Sequence, residues 1–369
     1  MIDFSNYFSV EELGLIRSKS IESEEKARFS EEIIQLIHTK KWLRVAMPSF
    51  NDGNPLNAYE IALLFEVLAY ADGSLGWAIN LGAGANMFLG YLTKTTATEL
   101  NNNPKLWLAG SGALTGKAVK SDGGYVLSGQ WKYASGSLYA THFTANAYLY
   151  DEKEQPILNE KNQPVFRSFL FPAEEVSIID TWQTIGLKAS CSNDYKVNEC
   201  YIANDYVFDL TEQSNYSNYA LYRYSFDAFA IANITVMCTG MALHFIELFN
   251  RDIKTKKPLY GTSKVGDMPQ VTELYSILTE NFYRSRSDFF QALQLLWDAV
   301  ENNSKKILEL ERRLEQEAKK LADTSYELVV GLYRYCGMNP VFTNSEISKV
   351  VRDFLVATQH YIISPLQFV

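Results

Sequence analysis

The sequence predicts an α+β protein in three successive parts: helical, then strand-rich, then helical. Three observations carry that reading. Residues 1–103 hold apolar runs at helical spacing. Residues 104–212 hold short alternating runs punctuated by glycine turns, and residues 213–369 return to long helical periodicity. Short strands between two helical blocks imply a β-barrel or sandwich in the middle and a four-helix bundle at the end. At 369 residues the chain is long enough to build more than one core.

In the first part, Ser23 or Ser30 is a candidate helix cap, because each is followed by two glutamates in what would be the first turn. Ile33, Ile34 and Ile37 share one face of the helix that starts at Glu31; His38 on that helix reads as an ordinary helix residue. Residues 47–55 form a loop by their Pro, Gly and Asn content. Residues 61–70 are apolar nearly all round, as in a helix buried within a bundle. Residues 78–92 are rich in Gly and Ala, which admits either tight helix packing or the close approach of a planar ligand.

The middle part centres on residues 121–142. Asp122-Gly123 is a hairpin turn, since both residues tolerate positive φ. Tyr125 and Leu127 then face one way and Val126 and Ser128 the other; Gly129 interrupts, Trp131 and Tyr133 resume, and Ser135-Gly136 ends the strand. A hydroxyl beside a glycine lets something flat approach the backbone. Gly110, Gly112 and Gly116 imitate a dinucleotide-binding fingerprint, but that motif needs a helix next and a hairpin follows instead. Residues 151–164 form a charged hairpin excursion, and 166–171 and 176–182 are further strands.

The third part opens with a long apolar helix over 227–250. Pro269 starts the next, at the position where a helix tolerates proline, with Leu274, Leu278, Phe282, Phe289, Leu293 and Trp297 on its buried face. A third helix covers 305–335 with a seam of Ile307, Leu310, Leu314 and Leu321, Gly337 is a plausible end cap, and a fourth covers 346–360.

Net charge of −9 and a pI near 5.2 argue against nucleic acid as a partner. The first residues lack the basic and apolar regions of a signal peptide, and no uninterrupted apolar span reaches across a bilayer, so no membrane role is expected. Cys191, Cys200, Cys238 and Cys336 are scattered, as befits free thiols in a reducing cytoplasm. His38, His142, His244 and His360 show no metal-ligand spacing, and there is neither a P-loop nor a nucleophile elbow.

Three stretches together carry a resemblance: GGYVLSGQWKYASGS at 123–137, TWQTIGLKASCSNDYKVNECYIAN at 181–204, and residues 335–360 with the pair Arg352-Asp353. In this order they resemble the acyl-CoA dehydrogenase-like flavoproteins. The resemblance implies that fold, a flavin cofactor (FAD or FMN) and a homo-oligomer, dimer or tetramer. It implies that Tyr133 lies along the flavin ring and that Ser135 bonds its N5/O4 edge, where a donor or backbone N–H tunes the cofactor. Trp107, Ser111 and Gly116 fall in the family's flavin loop, although that loop here runs Ala109-Gly-Ser-Gly-Ala-Leu-Thr-Gly-Lys117 where the dehydrogenases have Thr-Glu and Gly-Ser-Asp.

Acyl thioester dehydrogenation needs a carboxylate to take the α-proton. The family's glutamate beyond the Arg-Asp pair is absent here; Asp227 is the nearest acid on the first C-terminal helix, roughly a turn out of place (~5 Å). Arg352-Asp353 followed by His360 instead resembles the two-component flavin monooxygenases, in which a separate reductase delivers reduced flavin to react with oxygen. That resemblance implies His360 and Ser135 as catalytic residues, no metal, and a small substrate with aromatics among the candidates. A histidine usual in such enzymes after the N-terminal-domain tryptophan is missing beyond Trp77, with Ala85 and Asn86 in that region; His142 reads as structural. The alternatives are an acyl-CoA dehydrogenase with an atypical base and a flavin-binding scaffold without catalysis.

Overall fold

The computed structural model describes residues 4–48 and 56–366, so most of the loop expected at 47–55 lies outside the described residues. Among the described residues five α-helices come first: α1 (Val10–Glu25), α2 (Glu31–Thr39), α3 (Ala58–Ala71), α4 (Gly73–Asn86) and α5 (Lys94–Asn101). Ser9 caps α1 in a reciprocal capping box with Glu12. Ser23 sits inside α1, and Ser30 stands at the start of α2 without a side-chain cap bond. Asn57 with Glu60 builds a second capping box on α3, and Asp72 caps α4.

Seven strands follow: β1 (Leu108–Ser121), β2 (Gly124–Ala134), β3 (His142–Tyr150), β4 (Phe166–Pro172), β5 (Ser177–Ile179), β6 (Asn193–Ala203) and β7 (Val207–Phe208). They form one sheet in the order β5-β6-β2-β1-β3-β4-β7. All pairings are antiparallel except β1 with β3, which is parallel. Asp122-Gly123 makes the β1–β2 turn, and the register slips between Leu127 and Gly129, where the sequence pattern breaks. The sheet has its own core, in which Trp131 stacks on Tyr195 at 5.3 Å. Tyr133 departs from the expected alternation. Its φ of +66° turns its ring away from the face that buries Trp131, and it is 66% exposed.

The last part is α6 (Phe226–Leu248), α7 (Pro269–Glu301), α8 (Ile307–Tyr333) and α9 (Glu346–Ala357). One continuous core joins these helices to α1–α4, with Phe65, Leu68, Phe245 and Leu293 among its fully buried members. By length and composition, Phe226–Ile253 is long and apolar enough to cross a membrane, contrary to the sequence reading. Yet 94% of its apolar window is buried inside the protein, so it is the central core helix here. That burial also removes α6 from any outer apolar face.

α9 is pinned at several points. The Arg352 guanidinium pairs with Glu24 of α1 and donates to the carbonyls of Ile185 and Thr343. Lys349 bridges Asp353 at 2.6 Å and Asp72 at 2.8 Å, all three buried. Burial works against the Lys349 charge, but the two carboxylates outweigh it and hold the ammonium protonated. Asp353 also accepts the Leu187 N–H at 2.5 Å. The recognisable Arg-Asp pair is therefore a clamp between α9, α1 and the 185–187 segment. α9 stops at Ala357 rather than running to residue 360, because the Gln359 and His360 N–H groups bond the tighter i−3 carbonyls of Val356 and Ala357 at 3.1 Å.

Candidate functional site

A cavity of about 110 Å³ opens between α4 and the sheet. Leu81 and Ala85 of α4, Phe88 just beyond it, and Phe208 and Leu210 form its apolar side. Ser111, Ser135, Thr144, Asn146 and Ser168, contributed by four neighbouring strand segments, form its polar side. None of its lining residues is ionisable. The bulge between Ser111 and Leu114 loosens β1 from β3 here, and the Asn146 side chain fills the break, donating to the Gly112 carbonyl at 3.0 Å and accepting from Ser168 at 2.7 Å. Gly110 is required by close approach, since a Cβ there would sit 2.2 Å from Thr144 Oγ1.

Ser135 directly follows β2 at the cavity. Its Oγ accepts from the Trp77 indole N–H at 3.2 Å and lies 2.7 Å from Ser192 Oγ. Ser192 Oγ lies 2.8 Å from Ser190 Oγ, which donates to the Leu187 carbonyl at 2.7 Å. The same carbonyl accepts from Trp182 Nε1 at 2.9 Å, and Trp182 meets the Tyr133 ring edge-on at 6.3 Å. The Gly136 N–H donates to the Ser190 carbonyl at 2.7 Å, fixing the strand end.

His360 begins the short turn after α9, where its Nδ1 accepts the Ile362 N–H at 3.4 Å. Its ring packs edge-on against Trp77, with centroids 5.8 Å apart. Burial pushes the imidazole down to about 4, so it is uncharged at neutral pH.

The structure thus brings Ser111 and Ser135 to the cavity and sets His360 one ring away from Ser135. Tyr133 is at the surface beside Trp182. Trp107 and Gly116 are not brought there. Trp107 is fully buried behind the strand end, against Tyr139 and His38, because the glycines at 82 and 136 leave room for its indole. Gly116 packs under Trp131, where any side chain would collide. Asp227 is exposed in the first turn of α6, away from the cavity lining. Trp77, Ser190, Ser192 and Asn146 were not assigned by sequence reasoning. The Gly- and Ala-rich neighbourhood of α4 and the resemblance's N-terminal-domain tryptophan pointed towards Trp77 without giving it a role.

No family model matches the chain. The chain is 26% identical to an indole-3-acetate monooxygenase of Acinetobacter baumannii, over 92% of its own length and 85% of the relative's. It is 26% identical to the oxygenase component of an FADH2-dependent resorcinol hydroxylase of a Rhizobium species, over 54% of its own length and 48% of that relative's. Its backbone superposes on XiaF from a Streptomyces species, solved with FADH2 and glycerol, with a TM-score of 0.85 at 18% identity, covering 96% of this chain and 90% of the other. The fold is that of the acyl-CoA dehydrogenase-like flavin monooxygenases. Its relatives are flavin-dependent monooxygenases of this superfamily, the branch that the Arg352-Asp353 and His360 pattern resembles.

Proposed function

We propose that the chain is the oxygenase component of a two-component flavin-dependent monooxygenase acting on a small aromatic substrate. The observation that supports it best is the cavity itself, where the Ser135 hydroxyl faces a small, largely apolar space with no carboxylate in its lining. A dehydrogenase would need an acid there to remove the substrate's α-proton.

The residues present fit a flavin. Tyr133 is a large exposed ring held in a left-handed conformation, which costs on the order of 1–3 kcal/mol and persists only where the surroundings enforce it. Trp182 stands beside it, and Ser135 lies two residues further along the same strand end. We assign Tyr133 to the ring face, Ser135 to its N5/O4 edge and Ser111 to the neighbouring strand contact. At about 110 Å³ the cavity is smaller than the roughly 150 Å³ that takes a benzene ring, so it admits only an edge of the cofactor until α4 and the sheet part further. When bound, reduced flavin supplies the electrons that activate oxygen.

The chain's own residues then bind, orient and exclude water. Leu81, Ala85 and Phe88 give the substrate an apolar wall. His360 stands behind Trp77 and outside the cavity lining, and is assigned on the resemblance alone as a neutral partner for a phenol or an indole N–H. Its depressed basicity suits hydrogen bonding better than proton removal at neutral pH.

Reduced FAD or FMN would come from a separate reductase. Four free, buried cysteines support a reducing, cytoplasmic setting. Exposed Ile277 and Tyr283 on α7 and Leu308, Tyr326 and Val330 on α8 support a dimer or tetramer through these helices.

The test is ¹⁸O₂ labelling. The purified protein, enzymatically reduced FAD or FMN and a panel beginning with indole-3-acetate and resorcinol are mixed, and products are weighed by mass spectrometry. One ¹⁸O atom in a hydroxylated product is expected. Hydrogen peroxide alone across the panel, with bleaching of oxidised flavin by an acyl thioester, would make the protein a dehydrogenase.

A further inference from the structure

The contacts behind Ser135 have a direction, which follows from counting protons. Ser190 Oγ lies 2.7 Å from the Leu187 carbonyl. A carbonyl brings no proton, so this bond uses the only one Ser190 has. The 2.8 Å contact between Ser190 and Ser192 must then use the Ser192 proton, and the 2.7 Å contact between Ser192 and Ser135 must use the Ser135 proton. Trp77, whose indole can only donate, closes the row by donating to Ser135 at 3.2 Å. Ser190 and Ser192 are 0% and 1% exposed, so bulk water does not offer them substitute partners.

The far end of the row is fixed as well. The Leu187 carbonyl also accepts from Trp182, and the Leu187 N–H is held by Asp353 of α9. Ser135 therefore turns its proton away from the cavity and keeps one lone pair for whatever meets it there.

We propose that Ser190 and Ser192 are positioning residues that lock Ser135 as a hydrogen-bond acceptor, selecting the reduced over the oxidised form of the flavin. The inference rests on the flavin reading above. Oxidised flavin has a bare nitrogen at N5, which is an acceptor. Two-electron-reduced flavin carries N5–H, which is a donor. A Ser135 that can only accept matches the reduced form and meets the oxidised form lone pair to lone pair.

The experiment is an anaerobic titration of the full chain with FAD and FMN, each oxidised and reduced, followed by flavin absorbance and fluorescence. The wild type should bind the reduced form more tightly, by about tenfold. Ser190→Ala frees the Ser192 proton to turn towards Ser135, and with it the Ser135 proton to turn into the cavity. Oxidised flavin should then bind about three- to tenfold more tightly, the worth of one recovered hydrogen bond, and the preference should shrink. Ser192→Ala should shift the ratio the same way. A wild type that favours the oxidised form, or folded variants that keep the wild-type ratio, would overturn the inference and leave the flavin reading standing. The wild-type ratio decides even if a variant fails to fold. A wild type that binds neither form overturns the flavin reading, and this inference with it.

Discussion

The indole N–H of Trp77 donates to Ser135 Oγ across 3.2 Å, and the same indole meets the His360 ring edge-on with centroids 5.8 Å apart. One residue of α4 thus couples the end of β2 to the segment after α9. Trp77→Phe keeps a ring against His360 and removes the donor. The expected cost is about 0.5–1.5 kcal/mol of unfolding free energy, measured by urea denaturation, with weaker flavin binding alongside.

His360 should titrate near 4 rather than near the ordinary 6.5 because it is buried. The sign is fixed by linkage. Below about pH 6.5 the unfolded chain takes up this proton and the native state does not, so stability is fully present above that pH and is lost as pH falls towards 4. The slope from this group is about 1.4 kcal/mol per pH unit within that window. NMR titration of the imidazole checks the value. Trp77→Ala, which uncovers one face of the ring, should raise it; a wild-type midpoint near 6.5 would contradict the packing described.

His360→Asn should lower aromatic turnover by about 10²-fold, the cost of a misplaced substrate, because the imidazole orients it. Because the group is uncharged throughout the neutral range, the wild-type profile should show no limb from it between pH 6 and 8. A limb there that disappears in the variant would make His360 a general base instead.

The clamp on α9 predicts a large stability effect. Asp353→Asn removes one carboxylate from buried Lys349 and leaves Asp72 as its partner. Breaking a buried pair in this way costs about 3 kcal/mol, readable in chemical denaturation. A change below about 0.5 kcal/mol, the level of an ordinary surface substitution, would mean that the Arg-Asp pair does not hold this helix.

Two glycines of β1 should respond oppositely. Gly110→Ala forces a Cβ against Thr144 and should cost about 1–3 kcal/mol while narrowing the cavity. At Gly112 nothing lies within 4 Å of an added Cβ, so Gly112→Ala should be close to neutral in thermal melts.

Much of the architecture was legible because its signals are local. Asp122-Gly123 announces a turn by backbone preference alone, and Gly129 breaks the alternation where the ladder slips. The helical periods of α7 and α8 show which faces are buried. Ser135 and Ser111 were reached through a resemblance, and the geometry sets both at the cavity. The rest was hidden because it depends on residues remote in sequence. Ser190, Ser192 and Trp77 converge on Ser135 only after β6, α4 and β2 have packed. Trp107 looked available for a ligand, but room left by two distant glycines lets the core take its indole. Tyr133 looked like a strand-face residue until its positive φ turned it outward. Ser9, with the correct spacing to Glu12, was passed over for Ser23, which lies inside the helix.

The measurement that bears most directly on the account is a crystal structure of the protein with flavin bound, read for the distance from Ser135 Oγ to ring N5. A ring lying along Tyr133, with its N5/O4 edge within about 3.2 Å of Ser135 Oγ, is the predicted result. A flavin seated elsewhere, with Ser135 beyond hydrogen-bond reach of the ring, would contradict it.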